Sequence, residues 1–177
     1  MAGTRPARSS GRRARRKGSA AVEFALVALP FFGLILATLE IGAILLTDAV
    51  LETATADAGR QVRTGQAQLQ KITPEALKAR LCSNMSLFSY DCSNRAHIDI
   101  RTVDTYTSPL VPDPLENGTF DPSVMDYQPG SPGDYVMVRV WYEHPVATPF
   151  MAQALARTTD HKVMLTTSLA FRNEPYL

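Results

Sequence analysis

Cysteine is scarce in this 177-residue chain, and the usual catalytic signatures are missing. Two cysteines exclude a disulfide-rich miniprotein, and no cysteine–histidine cluster has zinc-ligand spacing. There is no phosphate-cradling glycine loop and no GxSxG. His97, His144 and His161 match no metal-ligand or triad pattern and read as surface residues. His97 alternates outward on a strand, His144 precedes a proline, and His161 sits at a strand entry. No catalytic residue, metal ligand or cofactor is therefore assigned. The length excludes a large multidomain enzyme and admits one compact domain with an appended segment. Acids are absent from residues 1–17, which carry seven cations. The rest of the chain holds eleven cations against seventeen acids, so the net +1 conceals a basic head on an acidic body. That is a targeting or membrane pattern, or a nucleic-acid arm.

The head adjoins a long apolar run. Residues 24–46, FALVALPFFGLILATLEIGAILL, contain one charged side chain, Glu40. As a helix these 23 positions rise about 35 Å, enough to cross a bilayer core of about 30 Å. The buried helix of a soluble protein can be as apolar, but it leaves the cations at its start unexplained. Lys and Arg ahead of a membrane helix stay in the cytoplasm, which places residues from about 47 onward on the far side. The nucleic-acid alternative for RRARRK lacks aromatic residues and any accompanying motif, so no nucleic-acid partner is assigned. A cleaved secretory signal is the other alternative. The run exceeds the roughly 7–15 apolar residues of such signals, and Glu23 and Glu40 interrupt it. An unpaired carboxylate at the bilayer centre costs about 2.5 kcal/mol or more. Glu23 thus needs a partner or a place at headgroup level, and Glu40 a neighbouring helix or the far interface.

Gly18-Ser19-Ala20-Ala21-Val22-Glu23-Phe24 resembles the processing site of type IV pilin-like precursors. There, a basic leader ends in Gly, a small residue follows, and Glu is fifth in the mature chain. Counted from Ser19, Glu23 is fifth and Phe24 sixth. More narrowly, GSAAVEFALVALPFFGLILATLEIGAILL resembles the TadE-like family, the pseudopilins or minor pilins of the tight-adherence (Tad, Flp-type) pilus system. The ending Phe171-Arg172-Asn173-Glu174-Pro175-Tyr176 is similar to that family's C-terminal close. The DxSxS motif of the larger TadG-like relatives does not occur.

The resemblance implies a structural subunit that helps initiate or assemble a pilus, cut after Gly18 by a prepilin peptidase. It implies a single pass through the bacterial inner membrane, in contact with lipid, the N-terminus cytoplasmic and the C-terminal domain periplasmic. Implied partners are other pseudopilins, the TadG-like protein, the inner-membrane assembly platform and the Flp-type pilus. The chemistry is coherent with this. Cleavage removes the cations and frees an ammonium at Ser19, which Glu23 of a neighbouring subunit can pair with, compensating two charges that lipid penalises. Gly18 gives a peptidase close access to an extended backbone. Two other readings remain: an unprocessed, signal-anchored periplasmic scaffold of another secretion system, and a secreted small enzyme.

The predicted organisation is a leader over 1–18, a membrane helix over 19–46 and an α+β domain over 47–177. Pro30 lies inside the membrane helix, where it kinks the axis or opens the ladder. Gly33/Ala37 and Thr38/Gly42 have the small-residue spacing that lets helices approach. The helix continues over 47–71 with Val50, Ala54, Ala58 and Val62 as an apolar stripe, breaking near Gly65. Thr73-Pro74-Glu75 starts a second helix that carries Leu77 and Leu81 and ends near Cys82. Strands are expected over 96–105, 134–143 and 162–172, with a short helix opening at Thr148-Pro149. They form a small, mostly antiparallel sheet.

Residues 107–133, with six prolines and three glycines, read as a long structureless connection. Its Asp113, Glu116, Asp121 and Asp126 could offer oxygens to calcium, but without the spacing of a known calcium loop. Asn84-Met85-Ser86 and Asn117-Gly118-Thr119 match the glycosylation sequon. Cys82 and Cys92 lie on the exterior side, where a disulfide is permitted and would add about 2–3 kcal/mol. Two buried free thiols are the alternative.

Overall fold

The computed structural model describes residues 11–104 and 111–176, with side chains from Gly18 onward. Most of the basic leader's side chains, the expected strand end at Thr105 and positions 107–110 of the long connection lie outside the described residues. The first helix, α1, is Gly11–Arg63 and stays helical through Pro30. The chain divides into two compact units, residues 1–39 and 40–177.

In the first unit, the described side chains form one apolar helix with almost no burial. Leu26, Val27 and Leu29 are all about 70% exposed. The segment is long and apolar enough to cross a membrane, and none of its most apolar window is buried.

The second unit is α+β. After α1 come α2 (Gln66–Leu69), α3 (Pro74–Asn84) and α4 (Ser89–Arg95), then strand β1 (Ala96–Thr102). A short hairpin follows, β2 (Leu115–Glu116) and β3 (Thr119–Phe120). The chain ends with β4 (Tyr135–Pro145), α5 (Pro149–Leu155) and β5 (Lys162–Arg172). Strands β1, β4 and β5 make an antiparallel sheet in the order β1-β4-β5, with Ile98 opposite Val140 and Val140 opposite Thr167.

Strand alternation decides which face is wet. Val136, Val138, Val140 and Tyr142 point inward with Ile100 and Leu165 and are buried. With them in the core are Leu51, Ala54, Ala58 and Val62 of α1, a stripe recurring every three or four residues. Leu51, not the predicted Val50, takes the buried position at the stripe's start; Val50 is only half-buried.

Thr73 caps α3 as its sequence predicts, its hydroxyl accepting from the Ala76 amide at 3.2 Å with Pro74 at the first position. The helix runs two residues past Cys82. Cys82 and Cys92 are disulfide-bonded with Cα atoms 5.4 Å apart, joining α3 to α4 beside buried Met85.

Gly65 ends α1 in the left-handed region at φ 76°, where a Cβ would also lie 2.2 Å from the Tyr176 ring. Only glycine meets both conditions without strain. The tail completes this seal. The Glu174 amide donates to the Arg63 carbonyl at 2.9 Å, and its carboxylate pairs with Arg63 at 3.2 Å.

The connection expected to be structureless is not. Asn117 and Gly118, at φ 49° and 76°, form the tight turn of the β2–β3 hairpin. An Asn-Gly pair favours that two-residue turn because both positions require positive φ. Downstream, the Ile100 amide donates to the Asp126 carbonyl at 2.9 Å, and the Gln128 amide to the Ile100 carbonyl at 2.7 Å. Residues 126–128 thereby cover part of the free edge of β1.

Candidate functional site

Three places bring polar and ionisable side chains together. The first is the segment from Gly18 to Phe24. These residues are helical and exposed, and among the described residues nothing beyond its own stretch of helix lies within 4 Å of where a Cβ would stand on Gly18. The Ser19 hydroxyl donates to Glu23 Oε1 at 2.8 Å, as a separation of four residues permits on a helix. The backbone at Gly18 is thus helical and not extended. Glycine weakens a helix by about 1 kcal/mol relative to alanine, which makes opening easiest there.

The second place is Glu40, which sequence assigned to a neighbouring helix or the membrane interface. Instead it is 8% exposed and held by its own chain. Its carboxylate accepts from the Ala147 amide, the Thr148 amide at 3.1 Å and the Thr148 hydroxyl. These donors lie in the turn that enters α5, 107 and 108 residues away in sequence, so no local pattern reveals them. Two turns further along α1, the buried Thr47 hydroxyl donates to the Ala43 carbonyl at 2.8 Å and lies 3.3 Å from His144 Nδ1.

His144 is therefore not a surface residue. It continues the inward alternation of β4 for one more step and is 8% exposed. Burial and the nearby Arg95 guanidinium lower its pKa below the ordinary histidine value. The extended strand carries the signal for this placement, although the following proline obscures it.

The third place is the outer face of the sheet, which the loop after β1 covers. Asp99 is buried, its two oxygens bound by Arg101 at 2.8 Å and Arg139 at 2.7 Å. The Asp126 amide adds a third donor to that carboxylate at 2.7 Å. Arg101 also donates to the Val124 carbonyl, so the loop is latched from both sides.

His97 is likewise not a free surface residue. Its ring stacks against Phe120 of the hairpin at 4.8 Å, and Nε2 lies 3.0 Å from Glu143. Burial lowers its pKa, reinforced by Lys78 and Lys162 and opposed by Glu143. Beside it, a cavity of about 390 Å³ is lined by Glu143, Asp160 and Lys162. Lys162 bridges the two carboxylates at 2.5 and 2.6 Å. His161 alone of the three histidines is exposed, as its position predicts.

Of the four acids considered for calcium, the three aspartates accept from local turns, and Glu116 is an exposed residue of β2. Asp113 accepts from the Leu115 amide, Asp121 from the Ser123 amide, and Asp126 from the Tyr127 amide. Among the described residues, no group of three or more His, Cys, Asp and Glu side chains could hold a metal ion.

Residues 18–60 match the family model described as TadE-like protein. No curated protein matches the chain, and no solved structure does. The matched stretch takes in Gly18 and Glu23, the exposed apolar helix, Glu40 and most of the buried stripe; it is a TadE-like segment, in agreement with the family that its sequence resembles.

Proposed function

We propose that the protein is a minor pilin of a Tad (Flp-type) pilus, anchored by α1 and processed after Gly18. The observation that carries the reading is the TadE-like match, which begins at Gly18 and continues through an apolar helix whose side chains find no core. In this reading, residues 1–18 are a cytoplasmic leader, 19–46 cross the bacterial inner membrane, and the disulfide-bonded domain lies in the periplasm. A prepilin peptidase cuts the Gly18–Ser19 bond. The freed Ser19 ammonium then meets a Glu23 carboxylate, either four residues along the same helix or on a neighbouring subunit. Other pseudopilins, a TadG-like protein, the assembly platform and the pilus itself are the partners. The role is structural, and no catalysis by this chain is invoked.

The test is the N-terminus and intact mass of the protein extracted from its native membranes. A chain starting at Ser19, and a Gly18→Leu variant that stays full length, support prepilin-type processing. A start at Met1 or Ala2 makes the protein a signal-anchored scaffold. A start beyond residue 50 makes it a secreted domain and removes the pilin reading.

A further inference from the structure

We infer that the uncharged segment 145–156, with α5 at its centre, rests in the surface of the bilayer that α1 crosses, Phe150 being the inserted side chain. The inference rests on the membrane reading above. Its first support is depth. Glu40 lies six residues before the end of the apolar run at Leu46, about 9 Å of helix rise. Because its carboxylate holds Ala147 and Thr148, the turn into α5 is pinned at that same level. A run of about 35 Å centred on a core of about 30 Å places Glu40 some 6–7 Å inside the hydrocarbon boundary. Interfacial helices bury their apolar faces about 5–10 Å deep.

Composition is the second support. No side chain from Pro145 through Ala156 is charged, and Arg157 follows immediately, suited to lipid headgroups. Exposure is the third. Phe150 is 50% and Leu155 37% exposed, and Ala147, Pro149 and Ala154 are exposed beside them, whereas Met151 and Ala152 face the protein. Near Glu40 on α1, Ile41 and Leu45 are exposed as well, at 44% and 63%.

A carboxylate at this depth would be costly bare, but here two amides and a hydroxyl solvate it in place of water. The clasp thus lets Glu40 enter the lipid boundary and carries α5 in with it. Leu87 and Tyr90 are more exposed still, at 84% and 97%, but they lie between α3 and β1 and not in the turn that Glu40 holds.

The experiment uses the full chain, its Cys82–Cys92 bond intact, in vesicles of phosphatidylcholine and phosphatidylglycerol. A nitrobenzoxadiazole fluorophore is placed in turn on Phe150→Cys, Ala154→Cys, Leu87→Cys and Phe31→Cys, and quenched by nitroxides at known depths on the lipid. The expected result is quenching at 150 and 154 at least about twofold stronger than at 87, greatest with the shallow nitroxide, and deep quenching at 31. Quenching at 31 without quenching at 150 or 154 overturns the inference and leaves the membrane anchor standing. No quenching at 31 removes the anchor, and the inference with it. A probe at 150 shielded from aqueous iodide yet untouched by lipid nitroxides means that protein covers the patch, which also overturns it.

Discussion

Two stretches of one helix invert the usual relation between apolarity and burial. Residues 24–39 contain no charged side chain and bury almost nothing, whereas residues 40–63 contain six charged residues and supply a face of the core. Hydrophobicity alone therefore does not locate the core of this protein. What separates the two stretches is periodicity. Burial in the second follows one helix face through Glu40, Thr47, Leu51, Ala54, Ala58 and Val62. The first is apolar all round, the pattern of a segment whose solvent is lipid.

Truncating one leucine in each stretch tests that contrast most severely. Leu51→Ala removes a fully buried side chain and should lower domain stability by about 3 kcal/mol in denaturant titrations. Leu29→Ala, at a position 75% exposed, should leave the same transition where it was. Equal effects would mean that the first stretch packs against the domain after all.

Reduction of the Cys82–Cys92 bond should cost the domain about 2–3 kcal/mol, read as a lower midpoint with dithiothreitol. The helicity of residues 18–39 should survive in detergent, because no cysteine lies there. A loss of helix content on the scale of the whole of α1 would contradict that separation.

Gly65→Ala forces a side chain into the left-handed region and against Tyr176, for an expected loss of about 1–2 kcal/mol. A Gly59→Ala comparison meets contacts of 3.0 and 3.3 Å to Leu169 and Phe171 without the unfavourable φ. It should be milder, and a larger loss at Gly59 would place the tighter restraint in packing.

Acid should weaken the domain least of these changes. His97 and His144 are both held below the ordinary value of 6.5, mainly by burial. The unfolded chain then takes up protons first, so their contribution is complete above pH 6.5 and declines as pH falls through that value toward the folded ones. The melting temperature should drop between pH 7 and pH 5, less so in His144→Gln. The helicity of the stretch 18–39, which has no histidine, should be unchanged throughout that range.

Local chemistry made much of this legible in the sequence. The Thr73 cap, the break at Gly65 and the bounds of β5 follow from residue preferences that act within a few positions. The buried end of β4 lies one alternation beyond the strand expected over 134–143, because Pro145 directly follows His144 and obscures that last inward step. The Asn117-Gly118 hairpin was masked by its overlap with a sequon, though the turn signal is in the same letters. Glu40 and Asp99 belong to a different class. Ala147 lies 107 residues from Glu40, and Arg139 lies 40 from Asp99, whose other partner Arg101 is a near neighbour; only the closed fold brings the distant donors in. Helix α4 is not legible either; its seven residues, SYDCSNR, have little helical periodicity and are fixed by the disulfide and by packing.

The seal on the end of α1 also sets an order of events. Arg63 precedes its partner Glu174 by 111 residues, so the helix is made long before the carboxylate that closes it. Strand β5, which pairs along its whole length with β4, is nearly as late. A chain made from its N-terminus therefore cannot close this domain until residues 162–174 have been added. A product stopped before Asn173 would present an unsealed helix and an Arg63 without its carboxylate, and so would be distinguishable from a chain that carries the seal.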